Sequence, residues 1–230
     1  MRKCEKRGDN MIKDKYNMTQ EQNMFYAKRN IVDSMWKSAN LEGIAITFPE
    51  TQKIYDGGNV SHLRIDEIVT VNNLKHGWQF ILSTINSNID FNYISSVHSL
   101  IGSNLVESPG KLRIYEVKMG GTKWKPEIPT MDKLSYMLNE NLKIENKTDR
   151  ILELMCRLMK MQLFNDGNKR TAMLIANHEL IKYGKGIISV AEDVKEEFGN
   201  KLINYYENEE KLEELKQFLY EKCLDGLKGE

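Results

Sequence analysis

Five adjacent residues, Asp166, Gly167, Asn168, Lys169 and Arg170, interrupt an otherwise apolar stretch, MQLFNDGNKRTAMLIAN over 161–177. Their types suit anion chemistry at the start of a helix, where unpaired N–H groups and partial positive charge gather. Gly167 lets the backbone approach a ligand closely, Asn168 can hold the loop by side-chain to backbone hydrogen bonds, and Lys169 and Arg170 add charge at the same pole. Asp166 would repel a phosphate unless a divalent cation lay between them. The set therefore suggests a metal-bridged phosphate, most simply a nucleotide. A plain helix–loop–helix corner with a solvated basic pair fits the same residues and stays open at this point.

The elements that must position this loop are mostly helical. Residues 1–18 are polar and without period and predict a mobile arm. Thr19 to Gln22 read as a capping box that opens an amphipathic helix, which should stop near EGIAITFPET, where Gly43, β-branched residues and Pro49 disfavour it. Apolar residues recur at helical spacing from Ile65, and Asp90 caps FNYISSVHSLI, with His98 on its apolar face and read as a core histidine. SPGKLRIYEVKMGGTKWKPEIP then alternates apolar and polar residues and turns at Gly120 and Gly121, which predicts a β-hairpin. Thr130 and Thr148 are candidate caps of two further helices, and another helix is expected from about Thr171 to Tyr183. Two charged amphipathic segments finish the chain. The fold class expected is mainly α, with one β-hairpin.

At 230 residues and 40% hydrophobic content, the chain can bury the core of one domain, or of one domain plus an arm. Lys plus Arg equals Asp plus Glu at 33 each, so no global field draws in nucleic acid, which is not an expected partner. Cys4, Cys156 and Cys223 are odd in number and outside any ligand pattern, and read as reduced thiols. The N-terminal stretch lacks an apolar signal region, and no run approaches about 18 apolar residues, so no membrane contact is expected and the protein reads as soluble and cytoplasmic.

The opening stretch resembles the signature of the Fic/Doc (Fido) family, H-x-F-x-[DE]-G-N-[GK]-R-x-x-R, matched at Phe164, Asp166, Gly167, Asn168, Lys169 and Arg170. SPGKLRIYEVKMGG is similar to that family's P-G-x-[YF]-R approach to its substrate-docking flap, and SANLEG at 38–43 to its [ST]-x-x-x-E-[GN] inhibitory helix. The resemblance implies a Fido-type helical bundle over 61–225, preceded by an N-terminal helical segment, 19–60, that carries the inhibitory motif. It implies ATP or another nucleotide as cosubstrate, with Mg²⁺ on Asp166 and an anion hole formed by Gly167, Asn168, Lys169 and Arg170. It also implies a flap tip at Met119, Gly120, Gly121 and Thr122 against which a protein substrate docks. Asn208 is similar to a nucleotide-contacting Asn, and Glu42 to the inhibitory Glu. The implied reaction is transfer of AMP to a hydroxyl of a target protein, or of a phosphoryl group in the manner of the toxin Doc. Self-association is left open.

Three positions depart from the signature. Gln162 stands where the general base His belongs, and an amide cannot accept the nucleophile's proton. Gln162 also falls on the buried stripe Ile151, Met155, Leu158, so a loop-bracing role competes with a catalytic one. Met173 replaces the final Arg, which leaves Glu42 to find Lys169 or Arg170 or to be a structural remnant. Lys169 tilts any activity toward the Doc-like mode. Two functions follow: an impaired or altered transferase, or a catalytically inactive Fido scaffold that binds or regulates.

Overall fold

The computed structural model describes residues 12–227. Its α-helices are α1 (Gln20–Arg29), α2 (Ile31–Leu41), α3 (Phe48–Tyr55), α4 (Ile65–Ser83), α5 (Phe91–Ile101), α6 (Met131–Leu142), α7 (Lys147–Met161), α8 (Asn168–Lys182), α9 (Lys195–Glu207) and α10 (Leu212–Phe218). One small antiparallel sheet pairs β1 (Ile187–Ile188) with β2 (Leu224–Asp225), in the register Ile187–Asp225 and Ile188–Leu224. The fold is mainly α, as expected.

Helix α8 runs through the middle, and nearly every residue from Arg170 to Ile181 is buried whichever way it faces. A helix apolar or internally bonded all round belongs inside a bundle rather than at its surface. It packs on α1, α4, α5 and α7. At Gly77 in α4 a Cβ would stand 2.5 Å from Leu174 Cδ1, so glycine sets the closeness of α4 to α8. Met35, Trp78, Ile94, Met155 and Tyr205 fill the surrounding core.

Local signals explain most helix starts. Thr19 and Thr47 close capping boxes with Gln22 and Glu50, and Asp90 and Thr130 accept the expected backbone N–H groups. The helix from Thr19 divides at Asn30 into α1 and α2. Helix α3 forms where Pro49 suggested a stop, because proline is tolerated in a first turn, whose N–H groups have no helical partner in any case. Asn146, not Thr148, caps α7, and α8 begins at Asn168 rather than near Thr171.

Two expectations need correcting. The segment 108–130 has no strand ladder; it is an extended excursion, and the sheet lies elsewhere. Its backbone is tied by Arg113 instead of by a partner strand, as described below. Of the expected arm 1–18, residues 1–11 lie outside the described residues, whereas 12–18 are packed. Ile12 and Tyr16 are buried, and Asp14 accepts from Thr148 Oγ1 at 2.8 Å and pairs with Lys185 at 2.8 Å. Burial raises the Asp14 pKa, but bonds from Lys185 and Thr148 outweigh it and hold the carboxyl below its ordinary value.

Candidate functional site

Helix α7 ends at Gln162 in the left-handed conformation, φ 47° and ψ 58°, and Gly167, at φ 75°, opens α8. Two left-handed residues therefore bracket the turn that carries Phe164 and Asp166. Asn168 holds it closed: Oδ1 accepts from Phe164 N at 2.9 Å, while Nδ2 donates to Phe164 O at 2.7 Å and to Gln162 Oε1 at 3.1 Å. Gln162, 6% exposed, donates from Nε2 to Met159 O at 2.6 Å, with Tyr206 Oη 3.5 Å away. Both ends of its amide are engaged, which is the loop-bracing arrangement.

His98 supports the turn from α5. Its ring stacks on Phe164 at 3.7 Å with 8° between planes, Nδ1 accepts from Gly110 N at 2.8 Å, and Nε2 lies 2.8 Å from Asp166 O. The first bond leaves Nδ1 without a proton, so Nε2–H donates to Asp166 O and the imidazole is neutral. Burial lowers its pKa to the same effect.

Arg113 ties the turn to the excursion. Its backbone N donates to Leu163 O at 2.9 Å, Nε donates to Gln162 O at 2.6 Å, and Nη1 donates to Tyr115 O at 2.8 Å. Nη2 donates to Pro126 O at 3.3 Å and to Glu127 O. One buried guanidinium thus joins both arms of the excursion to the end of α7. The tip reaches α9: Thr122 Oγ1 donates to Glu207 Oε1 at 2.5 Å, a Cβ on Gly121 would stand 3.3 Å from Ile203, and Trp124 stacks on Tyr206 at 4.8 Å. Burial raises the Tyr206 pKa, so its hydroxyl keeps its proton.

The charged residues of the loop meet α2. Glu42, the C-cap of α2, places Oε1 3.3 Å from Lys169 Nζ and Oε2 3.5 Å from Arg170 Nε. Asp166, whose side chain is 69% exposed, lies 3.2 Å from Arg170 Nη2. The two contacts to Glu42 lack hydrogen-bond geometry, so Arg170 Nε, Arg170 Nη1 and Glu42 Oε1 are buried with no hydrogen-bond partner. Such donors are expensive to bury and ready to take an anion's oxygens.

The structure brings Gln162, Asp166, Gly167, Asn168, Lys169, Arg170 and Glu42 together. Of the expected flap tip Met119, Gly120, Gly121 and Thr122, the last two meet α9, at whose end Asn208 caps the turn 209–211 by accepting from Glu210 N at 3.0 Å. Met173 is buried within α8. Sequence reasoning missed Tyr206 and Glu207, and it gave Arg113 no role of its own although that residue falls on the Arg of the P-G-x-[YF]-R pattern. Among the described residues no group of three or more His, Cys, Asp or Glu could hold a metal, and no helix is long and apolar enough to cross a membrane.

Comparison with known proteins bears on this arrangement. The family model of the Fic/DOC family matches residues 88–180, which span α5 to α8 and include the whole turn. A Fic-domain-containing signaling protein from Bacteroides thetaiotaomicron superposes with a TM-score of 0.72 at 16% identity, over 88% of this chain and 86% of that one. Fic-1 from C. elegans gives 0.69 at 20% identity, over 85% of this chain and 61% of that one. A Fic family protein from Desulfovibrio desulfuricans gives 0.60 at 17% identity, over 87% and 66%. A comparison with curated proteins gives no match. At these identities the structures speak for the fold, and the family model speaks for the segment that holds the turn. Residues 88–180 thus match the Fic/DOC family model, and the chain shares the fold of Fic structures.

Proposed function

We propose that the chain binds a nucleotide, in the first instance ATP, at the turn 166–170, and transfers AMP or a phosphoryl group from it to a hydroxyl of a target protein at a rate limited by the missing histidine. The observation that carries this reading is Arg170, whose buried Nε and Nη1 lack hydrogen-bond acceptors beside a left-handed glycine at a helix start. Gly167, Asn168 and Lys169 complete the anion hole, with Met119–Thr122 and Asn208 at the base end. Asp166 fits Mg²⁺, which commonly takes one or two carboxylates together with substrate phosphates rather than an all-protein cage. The ion would neutralise phosphate charge. Lys169 in the glycine position favours the phosphoryl branch.

This chain's residues position rather than deprotonate. General-base assistance is worth about 10²- to 10⁴-fold, and Gln162 cannot supply it. Orientation and charge stabilisation by Arg170 and Lys169 remain. Ile114 and Tyr115, 69% and 67% exposed on the excursion, offer a target segment its docking edge. We read 61–225 as the Fido domain, 19–60 as the segment that delivers Glu42, and the protein as cytoplasmic.

Glu42 occupies the cations that a phosphate would use, and we assign it an inhibitory role. Removing its charge relieves a like-charge contact with the incoming phosphate, so Glu42→Gln is expected to tighten Mg·ATP by about tenfold or more. Isothermal titration of Mg·ATP against the wild type, Glu42→Gln and Asp166→Ala is the test. Absence of binding in both the wild type and Glu42→Gln sinks the reading.

A second reading, an inactive scaffold that binds or regulates, is favoured by one observation: both ends of the Gln162 amide are already engaged. Incubation with labelled ATP and cell lysate separates the two. A labelled protein band that disappears with Asp166→Ala excludes the inactive scaffold.

A further inference from the structure

A cavity of about 390 Å³ opens between the returning arm of the excursion, α6, the last turn of α7 and the end of α9. None of the residues assigned to the nucleotide above, 119–122, 166–170 and Asn208, lines it, although Trp124 and Glu209 stand close in the chain to Thr122 and Asn208. Its size is that of a small-ligand pocket. Trp124, Ile128, Pro129, Met137 and Met161 form an apolar wall, and Ile128 is 44% exposed.

The polar lining is unbalanced. Lys125, Lys133, Arg157 and Lys160 line the cavity with two carboxylates, Glu127 and Glu209, and Arg157 is also held by Glu153 at 2.8 Å. Glu127 is taken by Lys133, and Glu209 lies 3.0 Å from Lys160 and 4.0 Å from Arg157. Lys125 has no carboxylate partner among the described residues, and it is exposed at the cavity. The Lys160 ammonium sits 5.8 Å from the Trp124 ring centre and 4.6 Å from that of Tyr205, which fixes a positive charge beside an aromatic face. An apolar wall alone would suit a neutral hydrophobe, and cations alone would suit inorganic anions. The two together select a small anion with a flat apolar body.

We infer that this cavity is a second ligand site, for an aryl carboxylate, sulfonate or phosphate ester, with the ring against Trp124 and Met161 and the anionic group toward Lys125 and Lys160. An occupant there touches Trp124, which stacks on Tyr206, and the Tyr206 hydroxyl lies beside Gln162. The site is therefore placed to report its occupancy to the end of α7.

The three tryptophans of the chain give three indole N–H signals in a ¹H–¹⁵N spectrum, and a Trp124→Phe variant assigns that of Trp124. Naphthalene-1-sulfonate is the probe, with naphthalene-1-sulfonamide as its neutral counterpart and inorganic sulfate as the bare anion. The sulfonate is expected to shift the Trp124 signal saturably and leave those of Trp36 and Trp78 in place. The affinity should fall by about fivefold or more in Lys125→Glu, at an exposed position, and in Ile128→Glu, which sets a carboxylate on the wall. An unmoved Trp124 signal overturns the inference. So does a sulfonamide that binds as tightly as the sulfonate, or sulfate that saturates the same shift on its own. Titrating Mg·ATP separately keeps this result distinct from that at the turn 166–170.

Discussion

His98 contributes to the turn only while neutral, since Nδ1 must accept from Gly110. Its folded pKa lies below the ordinary value near 6.5, so protonation favours the unfolded chain. The stability it provides is present above about pH 6.5 and is lost as pH falls through the folded value. Denaturant melts at pH 7.5, 6.5 and 5.5 should show that decline, and a His98→Gln variant should flatten it. Gln162→His pulls in two directions. It removes the bond to Met159 O and the contact with Asn168, a loss of about 1–2 kcal/mol, while restoring a general base. Lower stability with higher transfer activity is the expected pair of results, read by denaturation and by labelled-nucleotide transfer. The burial of Gln162 was legible from its spacing with Ile151, Met155 and Leu158. Its partner Tyr206 was not, because a contact 44 residues away leaves no local pattern.

The excursion 108–130 shows why an alternating stretch need not become a hairpin. Alternation predicts strands when backbone groups must pair with each other, but here one guanidinium satisfies carbonyls on both arms, and Leu163 O takes the Arg113 N–H. Ile114 and Tyr115 are left facing outward instead of closing a ladder. Replacing Arg113 by Met orphans several carbonyls and should cost about 2–4 kcal/mol by denaturant unfolding. The same variant should be cut faster by trypsin at Lys118 and Lys123, and Arg113→Lys should not rescue it, since an ammonium lacks the fork that reaches both arms. Caps at Thr19, Asp90 and Thr130 were readable because they act within three residues. Helix α3 was hidden by Pro49, whose meaning depends on its place in the helix, and Asn146 competed with Thr148 for one cap.

At the scale of the molecule, α8 orders everything else: its start carries the turn, its middle is core, and its far end meets both termini of the described chain. Met18 N donates to Gly184 O at 2.9 Å, and Lys15 Nζ donates to Leu224 O at 3.1 Å. Removing residues up to 17 exposes the surface that Ile12 and Tyr16 cover and strips Lys185 of Asp14. A loss of about 2–4 kcal/mol is expected, seen as a lower Tm, with nucleotide binding at the turn unchanged. The central helix was recognisable from its apolar run. The packing of residues 12–18 was not, because their partners come from α7, the α8 end and β2.

Tyr16 and Leu224 are within hydrogen-bond reach of each other, at 3.4 Å, on the side where α8 finishes, and the 15 residues of that helix put about 22 Å between this seam and the turn at its start. A linker attached after residue 227 would therefore anchor the protein to a sensor surface by the end remote from the turn, leaving the exposed Asp166 side chain open to the flowing solution.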